Sequence, residues 1–235
     1  ATADGAIAIG GGASTSYTAG IALGHNAISR ANSSIAIGTG ANTQSDATDS
    51  IAIGHSAITN GYGIAIGGGE TFSNSYSVSI GNDSEASGNY SIALGSGATA
   101  NDFISMALGY NSKASNQNST AVGYDALASG VTSIAIGNSA NATQSDAIAI
   151  GNSVIASGGS SIAIGSVETG YTTTASGVAA VAIGDGAYST AYASTALGYS
   201  TEATAYGASA LGTDAVASGR FSIALGNNAI AKGEN

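Results

Sequence analysis

One triplet, large-small-large closed by glycine, recurs along the whole chain at a near-constant interval. No other feature constrains the fold as strongly. The stretch "SDAIAIGNSVIASGGSSIAIG", from Ser145 to Gly165, contains it twice. The closing glycines fall at 10, 24, 38, 54, 67, 81, 95, 109, 123, 137, 151, 165, 184, 198, 212 and 226, giving sixteen units. Twelve of the fifteen spacings are fourteen residues. The others are sixteen (38 to 54), thirteen (54 to 67) and nineteen (165 to 184). A fixed period of this kind marks a repeat architecture, in which each unit completes its packing only against its neighbours.

We number each unit from the first residue of the triplet, so the glycine is position 4. Position 3 is aliphatic in all sixteen units, and position 1 in thirteen, with Thr120, Thr195 and Ser209 the exceptions. Position 2 is Ala in fifteen, Ser79 being the other, and the residue before position 1 is always Ser, Ala or Gly. Small and large residues therefore alternate with period two, which is a strand signature. Position 4 is Gly throughout and predicts a corner. Positions 7 and 9 are mostly Ala, Ser or Thr, and position 11 is often Gly, which predicts a second short strand and a second corner. Position 8 varies freely, through Asn42, Thr71, Glu85, Lys113, Leu127, Ile155 and Glu202, and is read as outward.

Two short strands and two corners per unit leave no room for a helix, and stacked units give parallel ladders, a β-solenoid. With about 4.8 Å per coil, sixteen coils would form a rod of roughly 75 Å. Large residues of one strand are expected to pack inside the coil against small residues of the other. On that reading Ile9, Ile37, Ile53, Ile80, Leu94, Leu108, Ile136, Ile150, Ile164, Leu197 and Leu225 form the coil core. The position 2 alanines then face outward as a methyl row suited to a close subunit contact. They are Ala8, Ala22, Ala36, Ala52, Ala93, Ala107, Ala121, Ala135, Ala149, Ala163, Ala196, Ala210 and Ala224.

Composition narrows the function classes. The net charge is −10, with only Arg30, Lys113, Arg220 and Lys232 as bases, far apart in sequence. Nucleic-acid binding needs clustered bases, so it is not expected. No run of about 18 apolar residues exists to span a bilayer, and no cysteine is present for disulfides. The start, "ATADGAIAIG", lacks the basic and apolar regions of a signal peptide. The end, "AIAKGEN", breaks off within a repeat, so residues 1–235 are read as a fragment of a longer chain.

The units "SIAIGTGANTQS", "SIALGSGATAND", "SIAIGNSANATQS" and "SIALGNNAIAKGEN" resemble the head repeats of trimeric autotransporter adhesins, the YadA-like head family, whose repeat reads approximately N-S-V-A-I-G-x-x-S/A. The likeness covers all sixteen units. It implies an all-β, left-handed parallel β-roll of about sixteen fourteen-residue coils, assembled as a homotrimer. It also implies extracellular display on a Gram-negative bacterium, on a coiled-coil stalk with a β-barrel anchor. No heptads or amphipathic membrane strands are present in these residues, and no neck adaptor is seen.

No catalytic or cofactor constellation emerges. His25 and His55 each follow a corner glycine two units apart, about 9.6 Å in height, too far to share a metal ion. The runs "IGGGAS" and "IGGGET" lack a Walker lysine, and no His or acid recurs near a serine as a triad requires. The chain is read as a non-enzyme with no metal or cofactor. Tyrosines fall in register on neighbouring coils, Tyr76 with Tyr90, Tyr110 with Tyr124 and Tyr192 with Tyr206. Such pairs stabilise a ladder or offer a binding surface. Tyr110, Tyr124, Tyr171, Tyr192 and Tyr206 are the candidate ligand-binding residues. The long spacings predict outward loops at residues 44–49 and 168–175.

The leading expectation is an adhesive head that binds host matrix, cells or other surfaces through a repeated trimeric face. The alternatives are a spacer or fibre segment projecting another tip, and an ice-binding solenoid. Ice binding would want a Thr ladder at position 8, where Thr is read only at Thr71, Thr99 and Thr169.

Overall fold

The computed structural model describes residues 1–168 and 171–233. Strands are short, and no helix occurs among the described residues. The chain is a parallel β-solenoid of about sixteen turns. It divides into two compact units, Ala1–Asn118 and Ser119–Asn235.

In the first unit, eight triplet strands, from Ile7–Ile9 to Met106–Leu108, form one parallel sheet. Eight two-residue strands, from Ser14–Thr15 to Lys113–Ala114, form the sheet that backs it. The second unit repeats this arrangement, with triplet strands from Thr120–Val122 to Ile223–Leu225 and second strands from Leu127–Ala128 to Ile230–Ala231. Register is position upon position: Ile134 pairs with Ile148, Ala135 with Ala149 and Ile136 with Ile150.

Both corners are four-residue turns closed by a backbone bond from the fourth N–H to the first carbonyl. Ala27 N donates to Gly24 O at 3.3 Å in the first corner, and Ser133 N to Gly130 O at 3.2 Å in the second. The third residue of almost every turn has positive φ, as at Ser139 (52°) and Asp146 (59°), whereas in the turn from Asn60 to Gly63 it is the second, Gly61 (52°). Where the fourth residue is Ser or Thr, its hydroxyl usually donates to the same carbonyl. Ser133 Oγ reaches Gly130 O at 2.7 Å, and Ser112 Oγ reaches Gly109 O at 3.0 Å. A small hydroxyl residue thus closes the turn and satisfies its own polar atom inside the coil.

The structure reverses the expected inside and outside of the triplet strand. Ala22, Ala36, Ala52, Ala93, Ala107, Ala121, Ala135, Ala149, Ala163, Ala196, Ala210 and Ala224 are buried in the coil's own interior, and Ala8 on the first coil is half-buried. They cannot form an outward methyl row. The expected core points out. Ile9, Ile80, Leu94, Ile136, Leu197 and Leu225 are exposed, and Ile37, Ile53, Leu108, Ile150 and Ile164 are half-buried. The physical reason is the thickness of the coil. Two four-residue turns bring the strands so close that only small side chains from positions 2, 7, 9 and 14 fit between them. Fully buried side chains are Ala, Ser and Thr almost throughout, and Val154 is the largest of them.

The irregular spacings are absorbed at corners. Thr71 is not at position 8: Phe72 pairs with Ile58 and Glu85, while Thr71 is buried. The coil starting "GGGET" carries one extra residue in its first turn and lacks the residue that elsewhere joins the second strand to the second turn, which is still closed from Ser77 N to Asn74 O at 3.3 Å. Thr169 lies outside the described residues. At 44–49 the added residues expose Ser45 and Asp46, while Ala47 is buried and Asp49 N bonds Asn32 O at 3.1 Å. The nineteen-residue spacing holds an antiparallel hairpin, Val167–Glu168 against Tyr171–Thr172. Of the expected 168–175 loop, Thr173 and Ala175 are instead buried in the coil.

Candidate functional site

Three kinds of surface result from this packing. The triplet strands present an outward ladder of Ile, Leu and Val from positions 1 and 3. The second strands present position 8, which is chemically mixed. The second corner carries aromatic side chains.

The aromatic corner forms one ladder in each unit. In the first unit, Tyr62 stacks on Tyr76 at 4.8 Å between ring centroids, and Tyr76 on Tyr90 at 5.0 Å. Phe103 meets Tyr90 edge-on at 5.8 Å. In the second unit, Tyr192 stacks on Tyr206 at 5.2 Å and Phe221 packs edge-on against Tyr206. The Arg220 guanidinium lies 5.1 Å from the Tyr206 ring centre. The expected pairs Tyr76–Tyr90 and Tyr192–Tyr206 therefore form. Tyr110 and Tyr124 are exposed, one in each unit. Tyr62 was missed because it lies in the thirteen-residue spacing, and Phe103 and Phe221 because each is one position out of register with the tyrosine it meets. The shared signal was an aromatic residue one or two places before the small residue that precedes the triplet.

A more enclosed feature lies on the second-strand face of the second unit. The hairpin rises from the first corner after Gly165, and its base is pinned. Ser166 Oγ donates to an Asp185 carboxylate oxygen at 2.7 Å, and Thr173 Oγ1 to Gly184 O at 2.7 Å. Tyr171 returns along the surface close over Gly186, where an added Cβ would stand 3.0 Å from the Tyr171 Cβ. Beneath it runs the position 8 ladder, in which Thr174 pairs with Tyr188, Tyr188 with Glu202 and Glu202 with Val216. Together with Ser200 and Asp214 these residues line a concavity of about 490 Å³, within the usual range for a ligand site. Sequence reasoning singled out Tyr171 but not Tyr188, Glu202 or Asp214. Position 8 reads as a tolerant solvent face until the hairpin covers it.

His25 and His55 are not brought together. The rung containing Thr39 separates them, with Gly40 N bonded to His25 O and Ser56 N to Thr39 O. Among the described residues, no three of His, Cys, Asp and Glu gather as a metal site. No helix among them is long and apolar enough to cross a membrane.

The family model described as "YadA head domain repeat (2 copies)" matches residues 18–41, 73–98, 105–126, 128–153, 175–201 and 203–229, well over half of the chain. No curated protein matches it.

Proposed function

The chain belongs to the YadA head-domain family, and from that premise we propose that it is a non-enzymatic, homotrimeric adhesive head. Membership suggests adhesin-like function, trimer association and display at the cell surface. On our reading residues 1–235 act as a head that binds host matrix proteins, cell-surface ligands or other bacteria. No cofactor takes part.

The observation that carries the proposal is the outward aliphatic ladder. Ile136, Ile150 and their equivalents repeat on every rung of each unit, and in the single chain they are only partly covered. Apolar surface that continuous marks an interface. We assign it, in place of the alanine row, to the contact between three copies of this chain. That arrangement leaves the second-strand face turned outward for ligands. Weak contacts repeated over three copies would then add by avidity.

Two measurements test this. The purified chain should have a solution mass three times its own 22.3 kDa. The trimer should bind at least one member of a panel of collagen, fibronectin, laminin and whole bacteria, whereas a monomerised variant should not. A folded trimer that binds nothing on the panel overturns the adhesive reading.

A further inference from the structure

The groove beneath the hairpin has a chemistry that selects its occupant. Its walls supply two phenol rings, from Tyr171 and Tyr188, and two carboxylates, from Glu202 and Asp214. Neither Arg nor Lys lines it. The whole chain carries fourteen acids against four bases. Arg30 bonds Asn42 in the other unit, and Arg220 lies over the Tyr206 and Phe221 rings. No side-chain hydrogen bond or ion pair among the described residues engages the Glu202 or Asp214 carboxylate. Tyr188 and Glu202 are partners on adjacent strands, so a ring face and an anion stand side by side, about one strand spacing apart.

We infer that this groove binds the cationic side chains, arginine above all, of a basic peptide segment in the partner protein. A guanidinium is planar and weakly hydrated, stacks on a phenol ring and pairs with a carboxylate in the same pose. Two carboxylates in one concavity would disfavour an anion and contribute little to holding a neutral group. The pinned hairpin holds Tyr171 over Gly186 before any ligand arrives, which lowers the ordering cost of binding. This inference rests on the adhesive reading and names the ligand chemistry of one surface on it.

The unit Ala1–Asn118 supplies an internal control. Glu70 and Glu85 line a concavity of about 560 Å³ on its second-strand face, beside Phe72 and Ile58, with no hairpin over it. The double substitution Glu70→Gln/Glu85→Gln removes the same charge from the chain as Glu202→Gln/Asp214→Gln but leaves the hairpin groove intact. All four residues are exposed, so neither variant is expected to disturb the fold.

The probes are a fluorescent oligoarginine peptide and its oligocitrulline counterpart of equal length, which keeps the shape and loses the charge. The unmodified chain should bind oligoarginine far more tightly than oligocitrulline, with affinity falling as salt rises. Glu202→Gln/Asp214→Gln should weaken oligoarginine roughly tenfold or more, and Tyr188→Leu roughly fivefold. Glu70→Gln/Glu85→Gln should leave the affinity unchanged. Equal binding of the two peptides, or equal losses in the two double variants, overturns the groove assignment. Matrix binding by the unmodified head is measured in parallel. Its failure sinks the adhesive reading itself, whereas matrix binding with no preference for oligoarginine sinks only the groove.

Discussion

Gly137 lies directly against the carbonyl of Gly151 on the next coil: a Cβ built on Gly137 would stand 2.1 Å from that oxygen. Its φ of 131° is a second barrier to any side chain. Substituting Ala there meets backbone rather than a movable side chain, so the coils must part or the corner must change. We expect Gly137→Ala to cost about 1–3 kcal/mol, read as a lower midpoint in chemical denaturation. A midpoint within error of the unmodified chain would show that the coil spacing is softer than the packing implies.

The interior makes a prediction that the outward-alanine reading does not. Ala135 is fully buried between Ala121 and Ala149. Ala135→Leu should therefore overpack the coil and destabilise it by about 1–3 kcal/mol or more. Ile136→Asp with Ile150→Asp places charge on the outward ladder and should leave strand content by circular dichroism intact while dissociating the trimer. If Ala135→Leu lowered the solution mass with no loss of stability, the alanine would be at an interface after all.

These two substitutions also show what was legible from sequence. Alternation and the fourteen-residue interval were enough to place strands, corners and register, because both are local and repeated. Period-two alternation separates two faces of a strand without saying which is inside. The gap between the sheets decides that, and the gap is set by turns whose geometry is not visible in any single residue. One signal was available. Position 14 and position 2 are both small and share a face, as at Ser133 and Ala135, and both are buried. The hairpin groove was less legible still. It needs Tyr171 to fold back over Gly186, a tertiary placement that no repeat encodes. The "GGGET" coil misled for a simpler reason, since an insertion and a deletion inside one unit cancel in the spacing.

Ile104 sits at the third position of a second-corner turn with φ of 55°, and its side chain is exposed. A β-branched residue is strained there, whereas Asn tolerates the left-handed region, as Asn118 does one coil later. Ile104→Asn should raise stability by about 1 kcal/mol, seen as a higher melting temperature. A fall would mean that the exposed isoleucine makes an apolar contact worth more than the strain, most simply with another copy of the chain.

Tyr76 is an inner ring of its ladder, stacked between Tyr62 and Tyr90. Tyr76→Ala keeps the positive φ of this position and removes two ring contacts. At about 0.5–1.5 kcal/mol per aromatic pair, the loss should be roughly 1–3 kcal/mol. If the ladder serves only the fold, matrix binding by the still-folded variant stays unchanged. If stability holds and binding falls, the ladder belongs to the ligand surface.

Removing residues 134–147 excises one whole coil and joins Ser133 to Ile148, which occupies the same position as Ile134 and pairs with it. Register across the cut is preserved, so the shortened chain should fold with nearly the same stability per coil. A spacer that only projects another tip would keep its full binding when shortened in this way. A head that binds along its own surface should lose affinity with each coil removed, because fewer weak contacts add together. Binding to the matrix panel by chains lacking one, two and three such coils therefore separates the two roles. Affinity independent of coil number, together with unchanged panel binding by the Glu202→Gln/Asp214→Gln variant, would assign the chain to the spacer class.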